Sequence, residues 1–347
     1  MKIIDLFQHD DSDKVYVIAE LSANHAHKFN VAVDTIKAVK KCGADAIKLQ
    51  TYTADTITID CNNEYFQIHG GTLWDGKTLF NLYKEAYTPW EWQPELKRIA
   101  EEEGLECFSS PFDHTAVDFL ETLNVPAYKV ASFEITDLPL IKYIASKQKP
   151  VIISTGVATL SDIEDAVATC RQIGNTNIAL LQCTSEYPAP MKETNLRIIA
   201  DLKKRFNVIS GISDHTIGAT AAIAAATLGA KIVEKHFILD RNIGGPDASF
   251  SMEPHEFQLM IESIRDIEIA LGKADYGLSE KNKKNRIFCR SLFVINDIKK
   301  GETFSKDNIR SIRPGYGISP KYFDNILGKK ATQDIKRGIP LQWEFIE

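Results

Sequence analysis

The chain has 347 residues, of which 44% are hydrophobic and 25% charged, with a formal charge of −6 at pH 7. That length exceeds one average domain and suffices for a barrel plus an appendage. The acidic balance, with no stretch that collects basic residues, excludes a nucleic-acid surface, and no apolar run reaches the ~20 residues needed to span a bilayer.

Residues 1–13 are polar and acidic without a signal-peptide core, so a cytoplasmic protein is expected. The six cysteines, at 42, 61, 107, 170, 183 and 289, include no Cys-x-x-Cys pair. They read as buried free thiols, and Cys107 and Cys183 as small core residues.

From Val15 to Leu271 short apolar runs alternate with longer amphipathic segments. The runs predict strands at Val15–Ala19, Ala44–Leu49, Leu105–Ser109, Ala127–Val130, Val151–Ser154, Ile178–Gln182, Val208–Gly211 and Lys231–Glu234. Between them, helical periodicity covers Val31–Lys41, Thr115–Leu123, Leu138–Ala145, Leu160–Ile173, Thr194–Phe206 and Thr220–Leu228. Eight β–α alternations without a composition break predict a closed (β/α)8 TIM barrel over residues 1–272. A nucleotide-binding sheet would carry a Gly-rich turn after its first strand, and Glu20-Leu-Ser-Ala-Asn-His25 has no glycine.

Asp55 to Glu95 is long for a crossover and rich in aromatics: Tyr65, Phe66, Trp74, Phe80, Tyr83, Tyr87, Trp90 and Trp92. It reads as packing on the barrel top, as a substrate wall, or as both. After Gly272 a polar linker, 273–290, leads to a small β-rich unit, 291–347. There Asp297-Ile-Lys-Lys-Gly301 is echoed by Asp334-Ile-Lys-Arg-Gly338, which predicts a pseudo-symmetric domain. So small a core is expected to lean on another surface.

Barrel strand ends converge on one rim. Here they bring Glu20; Lys48 and Gln50; Ser110; Lys129 and Ser132; Ser154; Tyr187; Ser213 and His215; and His236. Two lysines among several hydroxyls suit a phosphate. His215 and His236, on consecutive strand ends, can share one divalent cation with positions left open for water and substrate. Mn²⁺ comes first, with Co²⁺, Fe²⁺, Mg²⁺ or Zn²⁺ as alternatives. Beside them Glu20 could act as a general base on water. His25 lies near the first strand end without a clear role, and the histidines at 9, 27, 69, 114 and 255 lack a comparable setting.

These residues sit in ordered blocks: Ile18-Ala-Glu-Leu-Ser-Ala-Asn-His25, Ile47-Lys-Leu-Gln-Thr51, Ser109-Ser-Pro-Phe112, Pro126-Ala-Tyr-Lys-Val130, Ile153-Ser-Thr-Gly156, Gly211-Ile-Ser-Asp-His-Thr216, Glu234-Lys-His-Phe237 and Gly245-Pro-Asp247. Together they resemble the sialic acid synthase family along essentially the whole chain. The C-terminal unit resembles that family's antifreeze-like (SAF) domain, including Arg313-Pro-Gly-Tyr-Gly317.

The resemblance implies condensation of phosphoenolpyruvate with an N-acetylated amino sugar in its open form, releasing phosphate. Lys48, Ser110, Lys129, Ser132, Ser154 and Ser213 would hold phosphoenolpyruvate, while Gln50, Tyr187 and Asp247 would contact the sugar. It also implies a homodimer with swapped C-terminal domains, Arg313 reaching the neighbouring sugar. Gly71-Thr-Leu-Trp-Asp-Gly76 and Leu82–Trp92 are most similar to the pseudaminic acid synthase branch, and Ser185 stands where some sialic synthases have Asn. Open alternatives are a mannosamine-type or legionaminic precursor as acceptor, a phosphorylated-aldose synthase, and a non-catalytic sugar-binding module.

Overall fold

Eight apolar runs form eight parallel strands that close on themselves: β1 Tyr16–Glu20, β2 Ala46–Thr51, β3 Glu106–Pro111, β4 Tyr128–Val130, β5 Val151–Ser154, β6 Ile178–Cys183, β7 Ile209–Asp214 and β8 Ile232–His236. A computed structural model describes residues 1–8, 14–69, 71 and 73–347. Residues 9–13 of the polar N-terminal stretch, His9 among them, and Thr72 of the aromatic-segment motif lie outside the described residues.

The chain divides into two compact units, Met1–Gly272 and Lys273–Glu347. In the first, helices follow the strands: α1 Phe29–Cys42, α2 Gln93–Glu102, α3 His114–Thr122, α4 Leu138–Ser146, α5 Leu160–Gln172, α6 Ile198–Phe206, α7 Thr220–Thr227 and α8 Pro254–Leu271. Local signals set their starts. Asp113, Asp137 and Thr159 accept first-turn N–H groups at the N-termini of α3, α4 and α5. The α6 helix begins at Ile198, four residues later than its periodicity suggests. Thr194 is engaged by Met191 through its hydroxyl, and Asn195 takes a left-handed φ of 44°.

The strands β2, β3, β7 and β8 run two or three residues further toward the site than their apolar runs, because the added positions are largely polar and so fall outside an apolar pattern. Side chains alternate along a strand, and the register pairs Glu20 with Lys48, Gln50 with Ser110, Ser213 with Glu234 and Glu20 with His236. Gly211 on β7 is required by closeness: a Cβ there would lie 2.2 Å from the Ile232 carbonyl oxygen. At the opposite end, the Tyr16 hydroxyl and the Ile3 N–H both donate to Glu106, tying the N-terminal segment to the barrel floor.

The second unit has a core of its own, with Leu292, Val294, Ile298, Phe304, Ile309, Ile326 and Leu341 buried. Its strands β9 Ser291–Val294 and β10 Ile309–Ile312 are antiparallel. The expected internal echo is present as reciprocal bonding. Lys299 pairs with Asp334 at 3.0 Å and Lys336 with Asp297 at 2.7 Å, while Ile298 and Ile335 exchange backbone hydrogen bonds. The segment expected to be pure linker contains a short helix, Glu280–Asn285, capped by Ser279. The thiol expectation needs one correction: Cys42, Cys107, Cys170 and Cys183 are buried, but Cys61 is half-buried and Cys289 exposed. Among the described residues no helix is long and apolar enough to cross a membrane.

Candidate active site

The polar strand ends meet in one place. Lys48 Nζ lies 2.8 Å from Glu20 Oε2 and 3.3 Å from Glu234 Oε1, and donates to Ser110 Oγ at 3.3 Å. Lys129 donates to Ser154 Oγ at 2.7 Å and sits 3.9 Å from the same Glu234 oxygen. The Ser213 hydroxyl donates to Glu234 at 3.0 Å, and Gln50 Nε2 donates to Glu20 at 3.1 Å and to Ser22 at 3.0 Å. Ser132, just past β4, accepts the Val157 N–H at 3.2 Å. The four charged side chains are each less than 5% exposed.

So dry a setting moves their proton affinities. Burial raises the Glu20 carboxyl to about 7, helped by Glu234 and opposed by Lys48 and Gln50. Glu234 goes the other way: despite burial, Lys129 and Lys48 hold it below the usual carboxylate range. Lys129 is lowered by burial, while in Lys48 the two glutamates outweigh burial and raise it. The result is one carboxylate poised near neutrality and one firmly ionised, the division that acid–base chemistry uses.

The two histidines lie side by side, with ring centroids 5.2 Å apart. His215 Nδ1–H donates to the Thr184 carbonyl at 3.0 Å, which leaves Nε2 as its remaining ring nitrogen. His215 is raised overall, since Cys183, the Thr184 carbonyl and Glu234 outweigh its burial. His236 is kept unprotonated by burial and by the nearby cationic groups, and its Nδ1 is buried without a hydrogen-bond partner. Asp247 Oδ2 lies 3.8 Å from that nitrogen. Burial raises the Asp247 carboxyl, although the Ser22 hydroxyl and the Ala23 N–H bond to it. An orphaned imidazole nitrogen beside a second oriented imidazole fits a cation ligand set. Among the described residues no three His, Cys, Asp or Glu side chains form a complete cage, so further ligands would be water and substrate.

Over the histidines lies an aromatic wall. The Tyr187 ring is 4.4 Å from His215 and 5.2 Å from Phe250, and Trp74 lies 5.5 Å from Tyr187. Trp74 belongs to the long aromatic insertion and donates Nε1–H to the Pro246 carbonyl. Other insertion rings serve packing: Trp90 stacks on Phe119 and Trp92 meets Phe29, while Tyr65 is exposed. The packing reading therefore holds for Trp90 and Trp92, while Trp74 adds an aromatic surface beside Tyr187.

The loop after β1 is tightly constrained. Ser22, Ala26 and His27 all have left-handed φ, between 46° and 51°. His25, left without a role by its sequence position, helps to hold it. Its Nδ1 accepts the His27 N–H, so Nε2–H donates to Thr88 on the insertion. Burial drops this imidazole to about 4, keeping it in that neutral form.

The structure thus gathers Glu20, Lys48, Gln50, Ser110, Lys129, Ser132, Ser154, Tyr187, Ser213, His215, His236 and Asp247 in the first unit. Arg313 is in the second. Sequence reasoning missed Glu234, although it lies two residues before His236 and so shares its face of β8. It also missed Glu134, whose carboxyl burial raises to about 7 and whose Oε2 has no hydrogen-bond partner.

A model of the NeuB family matches residues 35–276, and one of the SAF domain matches residues 290–347. A pseudaminic acid synthase of Campylobacter jejuni is 46% identical over 329 residues, covering 95% of this chain and 96% of that protein. An N,N'-diacetyllegionaminic acid synthase of the same organism is 38% identical, covering 93% and 97%. The crystal structure of the spore coat polysaccharide biosynthesis protein SpsE of Bacillus subtilis is 34% identical, with a TM-score of 0.65, covering 96% of this chain and 95% of that one. With its family match, its relatives along nearly the full length and its closed barrel carrying this buried cluster, the chain belongs to the NeuB family.

Proposed function

We propose that this chain condenses phosphoenolpyruvate with 2,4-diacetamido-2,4,6-trideoxy-altrose and water to give pseudaminic acid and phosphate. Two relatives from one organism support that acceptor over a legionaminic one, at 46% against 38% identity. The observation that carries the reading is the division of the site. A buried floor of Lys48 and Lys129 among serine hydroxyls adjoins a wall of Tyr187, Trp74 and Phe250 that suits a sugar bearing a methyl group.

Lys48, Lys129, Ser110, Ser132, Ser154 and Ser213 take the phosphate and carboxylate oxygens of phosphoenolpyruvate. Gln50, Tyr187 and Asp247 line the acceptor. The enol carbon bonds to the aldehyde carbon, whose oxygen gains a proton. Water adds to the neighbouring carbon, and Glu20 takes the proton it releases. The tetrahedral carbon then expels phosphate by carbon–oxygen cleavage and becomes the keto group. A divalent cation on His215 and His236, Mn²⁺ foremost, would supply Lewis-acid polarisation of the aldehyde oxygen. Holding both substrates in one dry cavity supplies much of the rate.

The reading includes a cytoplasmic homodimer in which Arg313 of one copy serves the acceptor site of the other. Exposed Tyr276, Leu278, Ile287 and Phe288 support it by leaving apolar surface for a second chain. The test is incubation with phosphoenolpyruvate, Mn²⁺ and each of three acceptors: the altrose, the legionaminic precursor and N-acetylmannosamine. Phosphate release with a mass-matched product for the altrose is expected. Turnover with another acceptor alone replaces the sugar, and no phosphate release with any removes the synthase.

A further inference from the structure

Packing does not explain one buried ion pair on the outside of the barrel. Along β7 and β8 the last outward hydrophobics are Ile212 and Val233, both buried. The next outward positions, paired in register, are Asp214 and Lys235. Their side chains are 1% exposed, and Lys235 Nζ lies 2.7 Å from Asp214 Oδ2. Hydrophobic residues of similar volume are often as stabilising as a buried ion pair or more so, so stability alone does not call for one here.

The remaining bonds of the pair point elsewhere. Lys235 Nζ also donates to the Thr216 carbonyl at 2.6 Å, and Asp214 Oδ1 accepts the Thr216 N–H at 2.9 Å. Residues 214 and 216 flank His215, and residue 235 immediately precedes His236. One lysine therefore grips the chain on both sides of one imidazole while its own backbone carries the other. On the inner side, Thr184 already fixes the His215 ring through Nδ1. Backbone and ring are each held, from opposite faces of the sheet.

We infer that Lys235 and Asp214 are positioning residues that set the spacing of His215 and His236 for a shared divalent cation. The inference rests on the metal-dependent reading above and extends it to two side chains that touch neither substrate nor cation. Partners that orient metal ligands typically contribute 10- to 100-fold in metal affinity or activity.

The test is Mn²⁺ titration of the metal-stripped full-length protein, with free Mn²⁺ read by electron paramagnetic resonance, beside steady-state kinetics. Lys235→Met should weaken Mn²⁺ binding roughly 10- to 100-fold and lower kcat, with KM for phosphoenolpyruvate within about twofold. Because this change strands a buried carboxylate, Lys235→Met/Asp214→Leu is measured too. It should fold, melt near the wild-type temperature and show the same Mn²⁺ loss. Folded variants with wild-type Mn²⁺ affinity overturn the inference, as does a double variant that fails to fold, which would assign the pair to stability. A wild-type protein that binds no Mn²⁺ removes the metal reading itself, which distinguishes the two failures.

Discussion

Glu20 and Lys48 face each other across β1 and β2, with Oε2 and Nζ 2.8 Å apart and both side chains buried. Replacing Glu20 with Gln keeps the shape and removes the proposed base. The variant should bind phosphoenolpyruvate with little change in KM and lose about 10²- to 10⁴-fold in kcat. Wild-type turnover in steady-state assays would clear Glu20 of the role.

The same carboxyl sets a pH dependence. The base must be ionised, and its affinity lies near 7, so kcat/KM should rise with pH up to about 7 and level off above. Stability runs the opposite way. Glu20 moves from the ordinary 4.5 to about 7 on folding, so the native state binds the proton more tightly. This contribution is complete below 4.5 and is lost as pH rises through 7. Melting curves of Glu20→Gln against wild type should therefore shift in favour of the variant between pH 5 and pH 8.

Gly156 lies beside the floor hydroxyls. A Cβ there would sit 2.3 Å from Ser185 Oγ and 2.8 Å from Ser132 Oγ. Gly156→Ala should raise KM for phosphoenolpyruvate at least tenfold, while overpacking costs about 1–3 kcal/mol of stability. Kinetics and thermal melts on one preparation separate the two effects.

Trp74→Ala removes the outer ring of the Tyr187 wall. The aromatic pair and its buried area together account for about 1–2 kcal/mol, so KM for the acceptor should rise roughly tenfold. KM for phosphoenolpyruvate should not move, because the floor lysines and serines are untouched. Equal changes in both would place Trp74 outside the acceptor site.

Arg313→Ala and Glu20→Gln offer a complementation test. Each variant alone should be nearly inactive. If Arg313 serves the other copy, mixed dimers carry one intact site of two, and random exchange makes about half the dimers mixed. Activity should return to roughly a quarter of wild type, whereas no recovery would place Arg313 with its own barrel.

The barrel was legible because the apolar runs are short and bounded, six of the eight are followed by helical periodicity, and polar residues at successive strand ends form a pattern in themselves; the helices Gln93–Glu102 and Pro254–Leu271 were not among the expected segments. Relations without a local signature were not legible. Glu234 reads as an ordinary carboxylate until the fold sets it between Lys48 and Lys129. Trp74 reaches Tyr187 across more than a hundred residues of chain, and His25 finds its partner on the insertion at Thr88. The start of α6 was misread because Thr194 and Asn195 are compatible with a helix in composition but are engaged in a turn.

Lys48, Lys129, Glu20 and Glu234 balance to zero when the lysines are protonated and the glutamates ionised. The carboxylates thus occupy the place that the oxygens of an anion would take beside the lysines. On the proposed reading, phosphoenolpyruvate bound at Lys48 would share that lysine with Glu20 and loosen the carboxylate toward water, and departure of phosphate would restore the 2.8 Å pair.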